Sequence, residues 1–171
     1  MLFDKTAPML TSVSISANNS NNTLVSDASS GIVTLSIYAN EEITQPTVVF
    51  KSNGAAITDS SISYSGSGRN WTASYDANSS DAEGAVTFVV SFNNGAGISG
   101  TNVTAVTNST SVTTDLTLPT LNTVGIVSNN STNTVGVNGD EVTLTFTSSE
   151  EIRSGVHLAV AFTSGGVAVT D

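Results

Sequence analysis

Two stretches of this chain are near-copies of each other. Asp4-Lys5-Thr6-Ala7-Pro8-Met9-Leu10, followed by Val13 and Ile15, returns as Asp115-Leu116-Thr117-Leu118-Pro119-Thr120-Leu121, followed by Val124 and Ile126, an offset of 111 residues. Asn18–Thr23 then matches Asn129–Thr134. After a two-residue deletion, Val33, Leu35 and Ile37 align with Val142, Leu144 and Phe146, and Glu41-Glu42-Ile43 with Glu150-Glu151-Ile152. After a three-residue insertion, Phe50–Asp59 aligns with Phe162–Asp171. A period of this length is far beyond a solenoid unit and has the size of a whole domain. The second copy reaches the equivalent of Asp59. The expected organisation is therefore one complete domain over residues 1–114 and the first half of a second over 115–171.

Inside the repeat the hydrophobic period is two. Val33, Leu35 and Ile37 alternate with Thr34 and Ser36; Trp71, Ala73 and Tyr75 alternate with Thr72 and Ser74; Val86, Phe88, Val90 and Phe92 alternate with Thr87, Val89 and Ser91. Such stretches put one face inward and one toward solvent, as half-buried strands do. Asn53-Gly54 and Asn94-Gly95 mark tight reversals, because Asn and Gly tolerate positive φ. No window sustains a 3.6-residue period. The pattern predicts an all-β chain with strands A to G at about 9–16, 31–38, 46–51, 55–64, 70–76, 85–92 and 98–113. Seven antiparallel strands is the count of an immunoglobulin-like sandwich. The expected inward set is Val13, Ile15, Val33, Leu35, Ile37, Phe50, Trp71, Tyr75, Val86, Phe88, Val90 and Phe92.

Charge narrows the partners. Four Lys+Arg against fourteen Asp+Glu give a net charge of −10, and charged residues are 11% of the chain, so Ser, Thr and Asn carry its solubility. So acidic a surface repels nucleic-acid phosphates and anionic membranes and attracts divalent cations. With no cysteine there is no disulfide or thiolate-metal framework. No apolar run approaches the ~20 residues of a membrane span, and no signal segment opens the chain. Met1 leads almost at once into the linker-like Phe3–Pro8, so the expectation is a piece of a longer protein.

The linker Asp4–Leu10, Glu41-Glu42-Ile43, Asn70-Trp71-Thr72-Ala73 and Ser80–Phe88, in that order and spacing, resemble the bacterial immunoglobulin-like repeats of large cell-surface adhesins. The resemblance covers the first repeat and the matching part of the second. It implies a non-enzymatic extender module, an extracellular location on a bacterial surface, adjacent repeats of the same parent chain as partners, and calcium near domain junctions. One departure stands out. Where such repeats often carry Asp before an Ala-Gly-Asn turn, this chain has Asn93-Asn94-Gly95-Ala96-Gly97, which removes an acidic ligand.

Candidate chemistry is sparse. The single histidine, His157 in Gly155–Val160, reads as a strand residue, and a general base would also need an oriented partner and a nucleophile. No catalytic site is expected. Carboxylates remain. Strand alternation places Asp81 and Glu83 at the pole from which Asp115 leaves, and Glu150 and Glu151 of the second repeat are expected there too. Together they form a hard-oxygen set suited to Ca²⁺; the other reading is solvated loop acids, with Asp81 capping the turn between strands E and F. The corresponding group at the opposite pole is Asp4, Glu41 and Glu42. Trp71 could serve as a sugar platform, but its alternation with Ala73 and Tyr75 assigns it to the core.

Two functions stay open at this level: a structural spacer, stiffened by calcium at the junctions, or a module that recognises a carbohydrate or protein through loops at one pole. Tandem repetition with a Pro-containing linker favours the spacer. The half repeat over 115–171 would leave Val142, Leu144, Phe146, Val160 and Phe162 uncovered. The expectation is a homodimer through that segment, brought about by the truncation; the alternatives are that it folds back on the first domain or is ordered by crystal contacts alone.

Overall fold

In the computed structural model, residues 3–18, 24–25, 31–59, 61–152 and 159–169 are described. Among them there is no helix, and so none long and apolar enough to cross a membrane. The chain divides into two compact units, Met1–Leu116 and Thr117–Asp171.

Unit 1 is built of antiparallel sheets with one exception in pairing. Its strands are β1 (Leu10–Ala17), β2 (Leu24–Val25), β3 (Ile32–Ala39), β4 (Thr47–Ser52), β5 (Ala55–Ala56), β6 (Ser63–Ser67), β7 (Asn70–Asp76), β8 (Gly84–Ser91) and β9 (Thr113–Thr114). One sheet has the order β1-β3-β7-β6 and the other β2-β9-β8-β4-β5. The pair β2–β9 runs parallel. Alternation does the folding: β3 and β4 bury every second residue. Val13, Leu35, Ala73 and Tyr75 of the first sheet pack into one cluster with Val48, Phe50, Phe88 and Val90 of the second. The rings of Phe50 and Tyr75 join the two sheets at 4.9 Å between centroids. The arrangement is sandwich-like, and eleven of the twelve expected inward residues are buried.

Three expectations differ in detail. The predicted strand D is divided: β5 pairs with β4 in one sheet, whereas β6 pairs with β7 in the other. The predicted strand G shrinks to β9 plus isolated bridges at Ser99 and Val103, because the residues between leave the ladder for the free edge of β1. There Thr107 Oγ1 accepts the Val13 amide at 3.0 Å, Thr107 N–H donates to Val13 O at 2.8 Å, and Thr110 Oγ1 accepts the Ile15 amide at 3.0 Å. Edge donors that could template another strand are thereby covered. Finally, Trp71 lies on the inward side but is only half-buried, with Nε1 donating to Gly68 O at 3.2 Å.

Unit 2 holds β10 (Leu121–Ser128), β11 (Val142–Ser148) and the short hairpin β12 (Thr163–Ser164) and β13 (Val167–Ala168). The β10–β11 ladder has the register of β1–β3 at the repeat offsets: Leu10↔Ala39 corresponds to Leu121↔Ser148 and Ala17↔Val33 to Ser128↔Val142, with an irregularity at the same place. The β12–β13 hairpin corresponds in the same way to β4–β5. Its turn, Gly165 (φ 58°) and Gly166 (φ 81°), matches Asn53 (φ 47°) and Gly54 (φ 80°), two successive left-handed residues as a two-residue hairpin requires. Side chains equivalent to the core of unit 1 are less covered here: Val124 is 58% and Ile126 61% exposed, whereas Leu144 and Phe146, expected to be uncovered, are half-buried.

Leu35, fully buried between the sheets, should lose about 2–5 kcal/mol of stability as Leu35→Ala. Trp71→Ala should cost less than that despite its larger volume, since the ring is half solvated already. Urea unfolding of both variants checks the order; a larger loss for Trp71 would place that ring deeper than described.

Candidate functional site

The two poles of unit 1 hold its candidate chemistry. At the pole where the chain leaves the unit, Gly84 pairs with Thr114, so Glu83 and Asp115 flank the same rung. Asp81 is buried, and its carboxylate is already occupied: Oδ1 accepts the amide and hydroxyl of Thr58 at 2.8 and 2.9 Å, and Oδ2 the amide of Asn78 at 3.2 Å. Its role is to tie the turn between β7 and β8 to the segment after β5. Asp59, next in that segment, accepts amides from Ser61 and Asp76, each at 3.0 Å. These bonds, Ser61 first, hold its carboxyl below the ordinary 3.8.

Beneath this pole lies a buried hydroxyl cluster. Ser52 and Thr114 are fully buried, their hydroxyls 2.8 Å apart, and Ser52 Oγ also donates to Ala82 O at 2.5 Å. The Tyr75 hydroxyl sits beside Thr114 without forming a well-shaped hydrogen bond. Burial first, and then the charge of Asp81, push its ionisation up. It is therefore a neutral phenol.

Glu150 and Glu151 lie in unit 2, Glu150 half-buried and Glu151 exposed. Glu150 Oε1 is enclosed without a hydrogen-bond partner, and its equivalent in unit 1, Glu41 Oε1, shares that condition. An enclosed, unpaired carboxylate oxygen is costly unless something positive meets it, and a hard cation suits such an oxygen. Glu41 and Glu150 thus fit a calcium role better than Asp81, whose oxygens are committed to backbone and hydroxyl donors. Among the described residues of either unit, no group of three or more His, Asp or Glu is gathered closely enough to hold a metal ion. His157 lies outside the described residues.

At the opposite pole the decisive residue is Asn94, 2% exposed. Its Oδ1 accepts the amides of Ala96 (3.1 Å) and Ile98 (2.9 Å), which fixes the orientation of the amide group. Its Nδ2 then donates to Asp4 Oδ2 at 2.8 Å and Thr6 O at 3.2 Å. One side chain thereby fastens the entering segment to the turn after β8. The carboxylate and carbonyl that Nδ2 bridges are the ligand types a cation would take; here a neutral amide fills that position. The sequence marked Asn94 as part of a tight reversal and as a lost acidic ligand. The partners of its Nδ2 are 90 and 88 residues away, and no local pattern announces them.

Searches against protein-family models, curated proteins and solved structures returned no match.

Asn94→Asp should replace two donor contacts by carboxylate facing carboxylate. The expected loss is about 2–3 kcal/mol near neutral pH, the scale of a broken charged hydrogen bond in a buried place. The repulsion raises the folded-state pKa of the new acid above its unfolded ~3.9, so the variant is relatively stable below that pH and weakens as pH rises through it. Millimolar calcium should restore part of the loss at pH 7. Thermal unfolding at pH 4 and 7, with calcium or chelator, measures this; a pH-independent deficit would refute the electrostatic account.

Proposed function

We propose that this chain is a non-enzymatic spacer, two successive modules of an extracellular bacterial array of immunoglobulin-like repeats. The observation that carries the reading is the equivalence of the β1–β3 and β10–β11 ladders, register for register, behind linkers that share Asp and Pro at corresponding places. The order β1-β3-β7-β6 against β9-β8-β4 supports an immunoglobulin-like topology, with β1, β3, β4, β6, β7, β8 and β9 in the roles of strands A to G. Adjacent repeats are its natural neighbours. Calcium belongs to the same proposal, with Asp81, Glu83, Asp115, Glu150 and Glu151 as the junction acids; Asp81 acts there as the residue that shapes the turn, and Glu150 supplies an oxygen still in need of a partner.

Small-angle X-ray scattering with calcium and with chelator tests the spacer. An elongated particle, stiffer and higher-melting with calcium, is the expected result. A saturating ion present at a hundred times its dissociation constant adds about 2.7 kcal/mol, and Asp115→Asn should blunt the gain. Identical melting in calcium and chelator would eliminate the metal, and a compact particle in both would eliminate the spacer.

Self-association follows from a separate observation. Val124, Ile126, Val142, Val160 and Phe162 of unit 2 are all between 39% and 61% exposed, an apolar surface that a second copy can cover through a twofold contact. Light scattering after size exclusion should give a dimer that disappears when residues 116–171 are deleted. A monomer of 17.4 kDa at high micromolar concentration would rule it out.

A further inference from the structure

A groove of about 330 Å³ opens on the outer face of the sheet β1-β3-β7-β6, and its walls include Ser12, Ser36, Tyr38, Ser65, Asn70 and Thr72. Strand register shows how these groups come together. Ser14, Ser36, Thr72 and Ser65 stand in one rung across the four strands, and Ser16, Thr34, Ser74 and Ser63 in the next. The third rung is Ser12, Tyr38, Asn70 and Ser67. Every position in this four-by-three array is polar and none is charged, within a protein of net charge −10. Neighbouring rung members are ~4.8 Å apart across the sheet, so the hydroxyls form a regular lattice.

Composition alone does not account for it. The outer face of the other sheet sets Thr47 opposite Ser91 but then Val49 opposite Val89 and Lys51 opposite Thr87, with Val49 50% exposed. The two faces are chemically different although both are solvated and both belong to the same Ser- and Thr-rich chain.

We infer that this groove and its hydroxyl lattice bind a neutral polysaccharide. Each Ser or Thr hydroxyl both donates and accepts, as does each hydroxyl of a sugar, so the face can match a polyol without fixing one charge pattern. Tyr38, 40% exposed at the edge of the groove, offers an aromatic face with a polar tip on which a sugar ring can lie. Asn70, beside it in the rung, adds an amide donor and acceptor. The absence of cationic side chains on the array disfavours phosphorylated or sulfated ligands, which the protein's overall charge also repels. That same charge works against a second copy of the chain stacking on this face. The spacer reading does not depend on this site, because the lattice lies on the side of the unit and not at its junctions.

Affinity electrophoresis in native gels containing dextran, hydroxyethylcellulose, galactomannan or dextran sulfate tests the inference. Retardation by at least one neutral polysaccharide, with none by dextran sulfate, is expected. Tyr38→Ala and Ser36→Glu should each weaken it at least tenfold while melting remains cooperative and close to that of the parent. No retardation in any neutral gel overturns the proposal, as does equal retardation of both variants. A change of oligomeric state in either variant, measured by light scattering, would identify a second copy as the occupant and overturn it as well. The scattering experiment on the spacer keeps its own outcome in every case.

Discussion

The contact between the two sheets of unit 1 is what every other feature leans on. With no cysteine in the chain, no covalent staple joins Val13, Leu35, Ala73 and Tyr75 to Val48, Phe50, Phe88 and Val90. The removal of apolar surface from water and close packing hold them together, with one polar tie where the Tyr64 hydroxyl accepts the Val48 amide at 2.9 Å. Phe50 and Tyr75 meet ring to ring between the sheets. Once that core is in place its open ends become expensive, because backbone and hydroxyl groups there are cut off from solvent. Ser52, Thr114 and Asp81 close one end, and Asn94 closes the other. The polar residues at the poles are therefore seals on a hydrophobic interior before they are anything else.

Unit 2 separates two kinds of information that unit 1 combines. Its ladder takes the same register and its hairpin the same turn, so pairing is dictated locally by alternation and by successive left-handed residues. Burial is not local. Val124 and Ile126 occupy the places of Val13 and Ile15, yet they remain largely exposed where their counterparts are covered. A sequence pattern can thus define which side of a strand is apolar without supplying what will lie against it.

The same distinction explains what was legible beforehand. Strands with clean alternation, such as Ile32–Ala39 and Asn70–Asp76, agree with their expected limits to within about a residue. The stretch 98–113 read as one strand. Thr107 and Thr110 instead turn toward β1, a choice made by an edge more than ninety residues upstream. Trp71 had the right parity and the wrong depth, since it lies near the end of its strand where the sheet no longer covers a large ring. Of the acids expected at the junction, Asp81 is bound to Thr58, and that bond could not be read from spacing. The hydroxyl lattice needed register across four strands, which no single segment contains.

The partners along the free edge of unit 1 ascend together: Val13 meets Thr107 and Ile15 meets Thr110, then Leu24 meets Thr113 and Val25 meets Thr114. The beginning and the end of the unit consequently run in the same direction, side by side. Tension applied to both ends would slide one segment along the other instead of peeling it away. The bonds between them then share the load at one moment, where a hairpin pulled open at its mouth would yield them one at a time. Mechanically this fastening is a lap joint, and its strength comes from the direction of the strands more than from the energy of any bond within it.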